Sequence, residues 1–175
     1  MKKRFGIVLI MVALVTLFLA TLPTAAPALT LNSYEKQVVS LINKQRAKRD
    51  LPKVRVHAKL VNAARAHSTD MAGQKYFRHS SLSGETFSRR VIRHGYKRSG
   101  YSYWKVGENI AWGSGLYSSP KVIVQAWMKS KAHRNVILTK RFRDIGVGAV
   151  KCEDGFGECE GVVWFFTLDM GRRIR

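Results

Sequence analysis

Gly107-Glu108-Asn109-Ile110-Ala111 and Ala126-Trp127-Met128-Lys129-Ser130-Lys131-Ala132-His133-Arg134 are the stretches on which the reading of this sequence turns. The first lies inside Val106 to Trp112, a β-rich run that sets a carboxylate beside small residues instead of on an apolar face. The second closes a helix announced by Ser119-Pro120, an N-cap followed by proline at the first helical position. Val122, Ile123, Ala126 and Trp127 form the apolar face of that helix. Tyr76-Phe77-Arg78-His79-Ser80 has the same character as the first stretch, with an ionisable histidine among turn residues.

Working outward, Arg143 to Cys152 and Gly161 to Asp169 read as two further strands joined by the turn-like Glu153-Asp154-Gly155-Phe156-Gly157-Glu158. Upstream, Asn32 and Glu35 make a capping-box pair, after which Tyr34, Val38, Leu41 and Ile42 recur at helical spacing until Asp50-Leu51-Pro52. A second helix is expected from about Ala58 to Gln74, with Leu60, Ala64, His67 and Met71 on one stripe. A third is expected from Thr86 to Gly95, where glycine is a natural stop. Helices and an antiparallel sheet in this order imply α+β layering around one core.

The chain has 175 residues, 46% hydrophobic, with 31 Lys+Arg against 11 Asp+Glu and a formal charge of +20. That composition excludes a disordered chain, a collagen and a disulfide-dense mini-protein. Lys2-Lys3-Arg4, the apolar run Ile7 to Ala20 and the small-residue pattern Ala26-Pro27-Ala28 read as an export signal cut after Ala28. Even Gly6 to Leu22 is only 17 residues, against roughly 20 for a spanning helix. The expectation is therefore a cleaved signal peptide over 1–28, then a single soluble domain over 29–175, secreted and without a later membrane span. Cys152 and Cys159 flank the hairpin turn, and in an exported protein a disulfide between them is expected. No histidine lies in that hairpin, so the two thiols would leave zinc short of ligands.

The order and spacing of these segments resemble the CAP superfamily, the cysteine-rich secretory proteins, antigen 5 and plant pathogenesis-related proteins of group 1. The likeness is to its compact bacterial SCP-like secreted branch. Val39-x-x-Ile42-Asn43-x-x-Arg46, Ala66-His67-Ser68-x-Asp70-Met71-Ala72 and Asp144-Ile145-Gly146-Val147-Gly148 carry the resemblance along most of the chain, around the two stretches first quoted. It implies an α-β-α sandwich with a small antiparallel sheet between helices, and a cleft lined by two histidines and two acids. Position by position, His79, Glu108 and His133 match that cleft. The second acid has no match, since Ser130 stands where many relatives have Glu, and Glu85 is the substitute considered. Family members are implicated in lipid or sterol binding, defence and host interaction.

Two imidazoles and a carboxylate can do three things. His79, His133 and Glu108 can hold a divalent metal such as zinc, the only cofactor the set suggests. They can act as acid and base without a metal, or form a structural hydrogen-bond network. Glu108, His133 and Ser130 also make a candidate catalytic set, although no Gly-x-Ser-x-Gly elbow presents the hydroxyl. His67 reads as a satisfied core residue, and His57 and His94 as loop or cap positions.

Between Glu85 and Glu108, Arg89, Arg90, Arg93, Lys97, Arg98 and Lys105 occur without an acid, interleaved with Phe87, Tyr96, Tyr101, Tyr103 and Trp104. This reads as a basic surface. Anionic surface polymers or lipid headgroups are its expected partners, and nonspecific nucleic-acid binding is physically admissible. The expected function is a secreted, cleft-bearing binding module for an anionic or amphiphilic surface component, lipid or envelope polymer. The alternative is a metal-dependent hydrolase using the His/Glu cleft.

Overall fold

The computed structural model describes residues 29–175, so the expected signal peptide over 1–28 lies outside the described residues. Helix α1 spans Ser33–Ala47 and opens with the capping box. The Asn32 side chain accepts from Glu35 N at 2.9 Å and the Glu35 carboxylate accepts from Asn32 N at 2.9 Å. The same carboxylate, fully buried, accepts from Arg65 Nε at 2.7 Å and Nη2 at 2.6 Å, tying α1 to helix α2, Ala58–Gly73. Helix α3 is Phe87–Arg93, with Thr86 as its N-cap. Helix α4, Pro120–Lys129, starts at Ser119 and follows a short 3-10 turn.

Strands β1 (Arg55–Val56), β2 (Tyr103–Ser114), β3 (Asp144–Cys152) and β4 (Val163–Ile174) form one sheet in the order β1-β3-β4-β2. β4 pairs antiparallel with both neighbours, setting Glu108 and Gly146 opposite Asp169. Alternation then sorts the two faces. Val147, Ala149, Phe166, Leu168 and Met170 pack with Val38 and Ile42 of α1, with Ile123 and Trp127 of α4, and with Ile137. On the other face α2 lies directly on β3, and glycine makes this possible. A Cβ on Gly146 would sit 2.1 Å from the Leu60 carbonyl carbon, and one on Gly148 would sit 2.4 Å from that of Ala64. α3 packs on α2 in the same layer. The result is the expected α-β-α sandwich.

Three details differ from the sequence reading. The sheet is mixed, because β1 adds in parallel to β3, a two-residue strand too short to show a period. A fifth helix, α5, Lys131–Leu138, was not expected; it begins at Ser130, where α4 ends. The expected Cys152–Cys159 disulfide is absent, and both thiols are free. Cys152, at the end of β3, turns its sulfur inward, 4.0 Å from the Ala72 carbonyl of α2 and 3.0 Å from Lys75 Nζ. Cys159 instead closes the turn on itself through a backbone pair with Phe156, at 2.9 and 3.1 Å.

Candidate functional site

β2 is an edge strand whose consecutive residues reach opposite layers. Glu108 faces the α2–α3 side. Its Oε1 accepts from His79 Nδ1 at 2.8 Å and its Oε2 from Arg90 Nη2 of α3, which also donates to the His79 carbonyl at 3.3 Å. Asn109 faces α5, where its Nδ2 donates to the His133 carbonyl at 3.0 Å. The two histidines therefore come from opposite layers of the sandwich and meet at the free edge of the sheet. Burial, and then the neighbouring His79, hold the His133 imidazole below the ordinary histidine value.

This corrects the placement of Arg90, read from the sequence as basic surface. It is 2% exposed, and its guanidinium offsets the burial of the Glu108 carboxylate. His79, by contrast, has a side chain 52% exposed. With Nδ1 turned to the carboxylate, the other ring nitrogen, Nε2, is left to meet solvent or a bound group.

The acid that completes the set is Asp169, which the sequence reading missed. It is fully buried opposite Glu108, and among the described residues neither of its oxygens has a hydrogen-bond donor. Burial, and then the Glu108 charge, push the Asp169 carboxyl well above the usual range. The available signal was an acid between Leu168 and Met170, in a run whose neighbours all read as core. Glu85, the substitute considered, is not brought to the cleft; both its oxygens go to Arg93, at 2.7 and 2.8 Å. Ser130 caps a helix junction, and no hydrogen bond joins it to His133 or Glu108, so the catalytic set with Ser130 is not assembled.

A metal fits this donor set poorly. Both Glu108 oxygens are committed, and among the described residues no group of three or more His, Cys, Asp or Glu side chains is arranged to hold an ion. His79 and His133 alone fall short of the three protein ligands usual at a catalytic zinc.

The family model of the cysteine-rich secretory proteins, CAP, matches residues 39–170. This chain belongs to the CAP family. The uncharacterised protein YkwD of Bacillus subtilis is 40% identical over 129 residues, 73% of this chain and 46% of that protein. YlbC, an uncharacterised membrane protein of the same organism, is 30% identical over 114 residues, 65% of this chain and 31% of that one. The chain thus spans less than half the length of these curated relatives. An SCP-domain extracellular protein from Bacillus anthracis matches with TM-score 0.61 and 27% identity, over 79% of this chain and 40% of that one. An outer surface protein from Borrelia burgdorferi shares the fold, with TM-score 0.60 at 19% identity over 79% of this chain and 91% of that one. No described helix of this CAP chain is long and apolar enough to cross a membrane.

A second feature of the CAP domain lies at one end of the sheet. Tyr103, Arg141, Arg143, Arg172 and Ile174 line a recess of about 380 Å³. The Arg141 guanidinium stands 5.3 Å from the Tyr103 ring centre, and that of Arg173 stands 4.1 and 4.5 Å from Tyr96 and Tyr101. Among the described residues none of these arginines is ion-paired. Asp144, the nearest acid in sequence, accepts from Tyr96 Oη at 2.7 Å. Of the basic surface expected from the sequence, Arg89, Lys97 and Arg98 are exposed, and Arg93 is tied to Glu85.

Proposed function

We propose that this CAP-domain protein is a binding module of the cell exterior that holds an anionic envelope polymer on the basic end of its sheet, beside a polar cleft built on His79, Glu108 and His133. The observation that carries this is the recess lined by Tyr103, Arg141, Arg143 and Arg172, whose arginines have no ion-pair partner among the described residues and where the Arg141 guanidinium lies over the Tyr103 ring. Unpaired arginines of this kind are held for phosphate or carboxylate groups, and a net charge of +20 draws a polyanion from a distance. The exterior location is supported by relatives described as extracellular and outer surface proteins.

The test is titration with a long-chain polyphosphate beside an uncharged dextran, across a series of salt concentrations. Polyphosphate is expected to bind with an affinity that falls steeply with salt, because exposed charge interactions are screened. The combined Arg141→Glu, Arg143→Glu and Arg172→Glu variant is expected to lose at least tenfold. Equal binding of dextran, or a variant that binds as well as the parent, overturns the reading.

A second reading, acid–base chemistry at the cleft, is favoured by one arrangement: an exposed imidazole oriented by a buried carboxylate. It predicts a hydrolytic or transfer activity insensitive to chelators and lost in Glu108→Gln.

A further inference from the structure

Away from His79, helix α2, the turn 81–85 and helix α3 enclose a cavity of about 280 Å³ lined by His67, Asp70, Ser81, Ser83, Glu85 and Arg90, with Arg93 at its edge. It is small beside the roughly 300–1,000 Å³ of most small-molecule sites. Two of its walls are almost wholly buried side chains with unused hydrogen-bonding atoms: Nε and Nη1 of Arg90, and Nδ1 of His67. Native proteins seldom leave such atoms without a partner.

The chemistry of the missing partner can be read from these atoms. Arg90 offers only donors. His67 Nε2 lies 2.9 Å from the Arg78 carbonyl, which only accepts, so Nε2 carries the ring proton. Burial, and then the adjacent Arg90 charge, keep the imidazole neutral. Its Nδ1 is therefore a bare acceptor. A ligand must accept from Arg90 and donate to His67.

Its charge is constrained as well. Arg90 is already offset by Glu108, and Arg93 by Glu85. An anion entering the cavity would meet Asp70 and Glu85, and a cation would meet Arg90 and Arg93. A neutral group carrying an acceptor and a donor meets neither penalty; a hydroxyl or a water offers both from one atom, whereas a secondary amide holds them on separate atoms pointing in opposite directions, and so can reach from Arg90 on α3 to His67 on α2.

We propose that this cavity is an amide-binding subsite, in which an acetamido or peptide C=O accepts from Arg90 and the amide N–H donates to His67 Nδ1. It is separate from the basic recess and does not rest on the polyanion reading. The same amide chemistry is carried by an N-acetylated sugar and by a peptide, and the two are told apart by experiment.

The protein, labelled with nitrogen-15, is titrated in turn with N-acetylglucosamine, N-acetylalanine methylamide, glucose and acetate, following the His67 ring nitrogens. At least one of the two amides is expected to move the Nδ1 resonance saturably, and whichever binds names the source. Glucose and acetate are expected to bind at least tenfold more weakly. Ser83→Phe places a ring at the exposed mouth of the cavity and leaves the core untouched; it should weaken amide binding at least tenfold, as should His67→Phe. Failure of both amides to bind, equal binding of glucose or acetate, or binding that survives Ser83→Phe overturns the proposal.

Discussion

Replacing Asp169 by Asn should make the protein more stable at neutral pH, and by an amount that grows with pH. In the wild-type fold Asp169 is sealed opposite Glu108 with no cation of its own, and it keeps a proton there. In the unfolded chain the same carboxyl ionises above about 3.9. The folded state thus binds one more proton than the unfolded state, and stability falls by about 1.4 kcal/mol per pH unit from that point up to the folded titration. Asn has the shape of the protonated acid and can donate to Glu108 through Nδ2–H, but it has no proton to lose. The gap between variant and parent should therefore open by about 1.4 kcal/mol per pH unit, and level off once Asp169 ionises in the fold. The assay is urea unfolding at a series of pH values from about 4 upward. With a slope of roughly 1–3 kcal/mol per molar urea, the midpoints should separate by about 0.5–1.4 M per pH unit. Histidine and surface contributions are common to both proteins and cancel in the difference. Parallel stability curves would show that Asp169 titrates in the fold as it does in the open chain, and would refute the upward shift of its carboxyl.

His67, like His133, is held below the ordinary histidine value chiefly by burial, so the unfolded chain takes up its proton first on acidification. In the Asp169→Asn background, stability is expected to be fully present above about pH 6.5 and to fall below it by up to about 1.4 kcal/mol per pH unit for His67, and His67→Phe should flatten that slope in the same urea series. Gly148→Ala puts a methyl group 2.4 Å from the Ala64 backbone, which cannot rotate away; a loss of about 3 kcal/mol is expected from overpacking, read as a shift of the urea midpoint. Cys159 is partly exposed and Cys152 buried, so iodoacetamide should modify Cys159 in the native protein and Cys152 only after unfolding, as checked by peptide mass. A chain two hydrogens lighter that takes no label would restore the disulfide.

Much of the fold was legible because its signals are local. The Asn32–Glu35 box, Ser119-Pro120 and the stripe Leu60, Ala64, His67, Met71 each report a helix from residues within a few turns of one another. Ser130 was legible as a helix end, but the helix that begins there was not, since Lys131-Ala132-His133-Arg134-Asn135 is polar but for one alanine and only Val136 to Leu138 are apolar, too few to show a helical period. In the cleft, Glu108, His79 and His133 could be picked out as residue types set among small residues and turns. Their wiring could not. His79 lies 29 residues from Glu108 and Arg90 lies 18 away, and nothing in the local pattern distinguishes Arg90 from Arg89, the one buried and the other exposed.

By itself, the sequence determined four of the five helices, the three long strands and the family resemblance, because caps, periodicity and turn residues act over a few neighbouring positions. Only the tertiary structure decided that Arg90 neutralises Glu108, that Asp169 and not Glu85 stands opposite Glu108, and that the two thiols are free. Each of these depends on which side chains the sheet register and the helix layers bring within a few ångströms in a medium that excludes water, where a charge must be paired or neutralised by gaining or losing a proton.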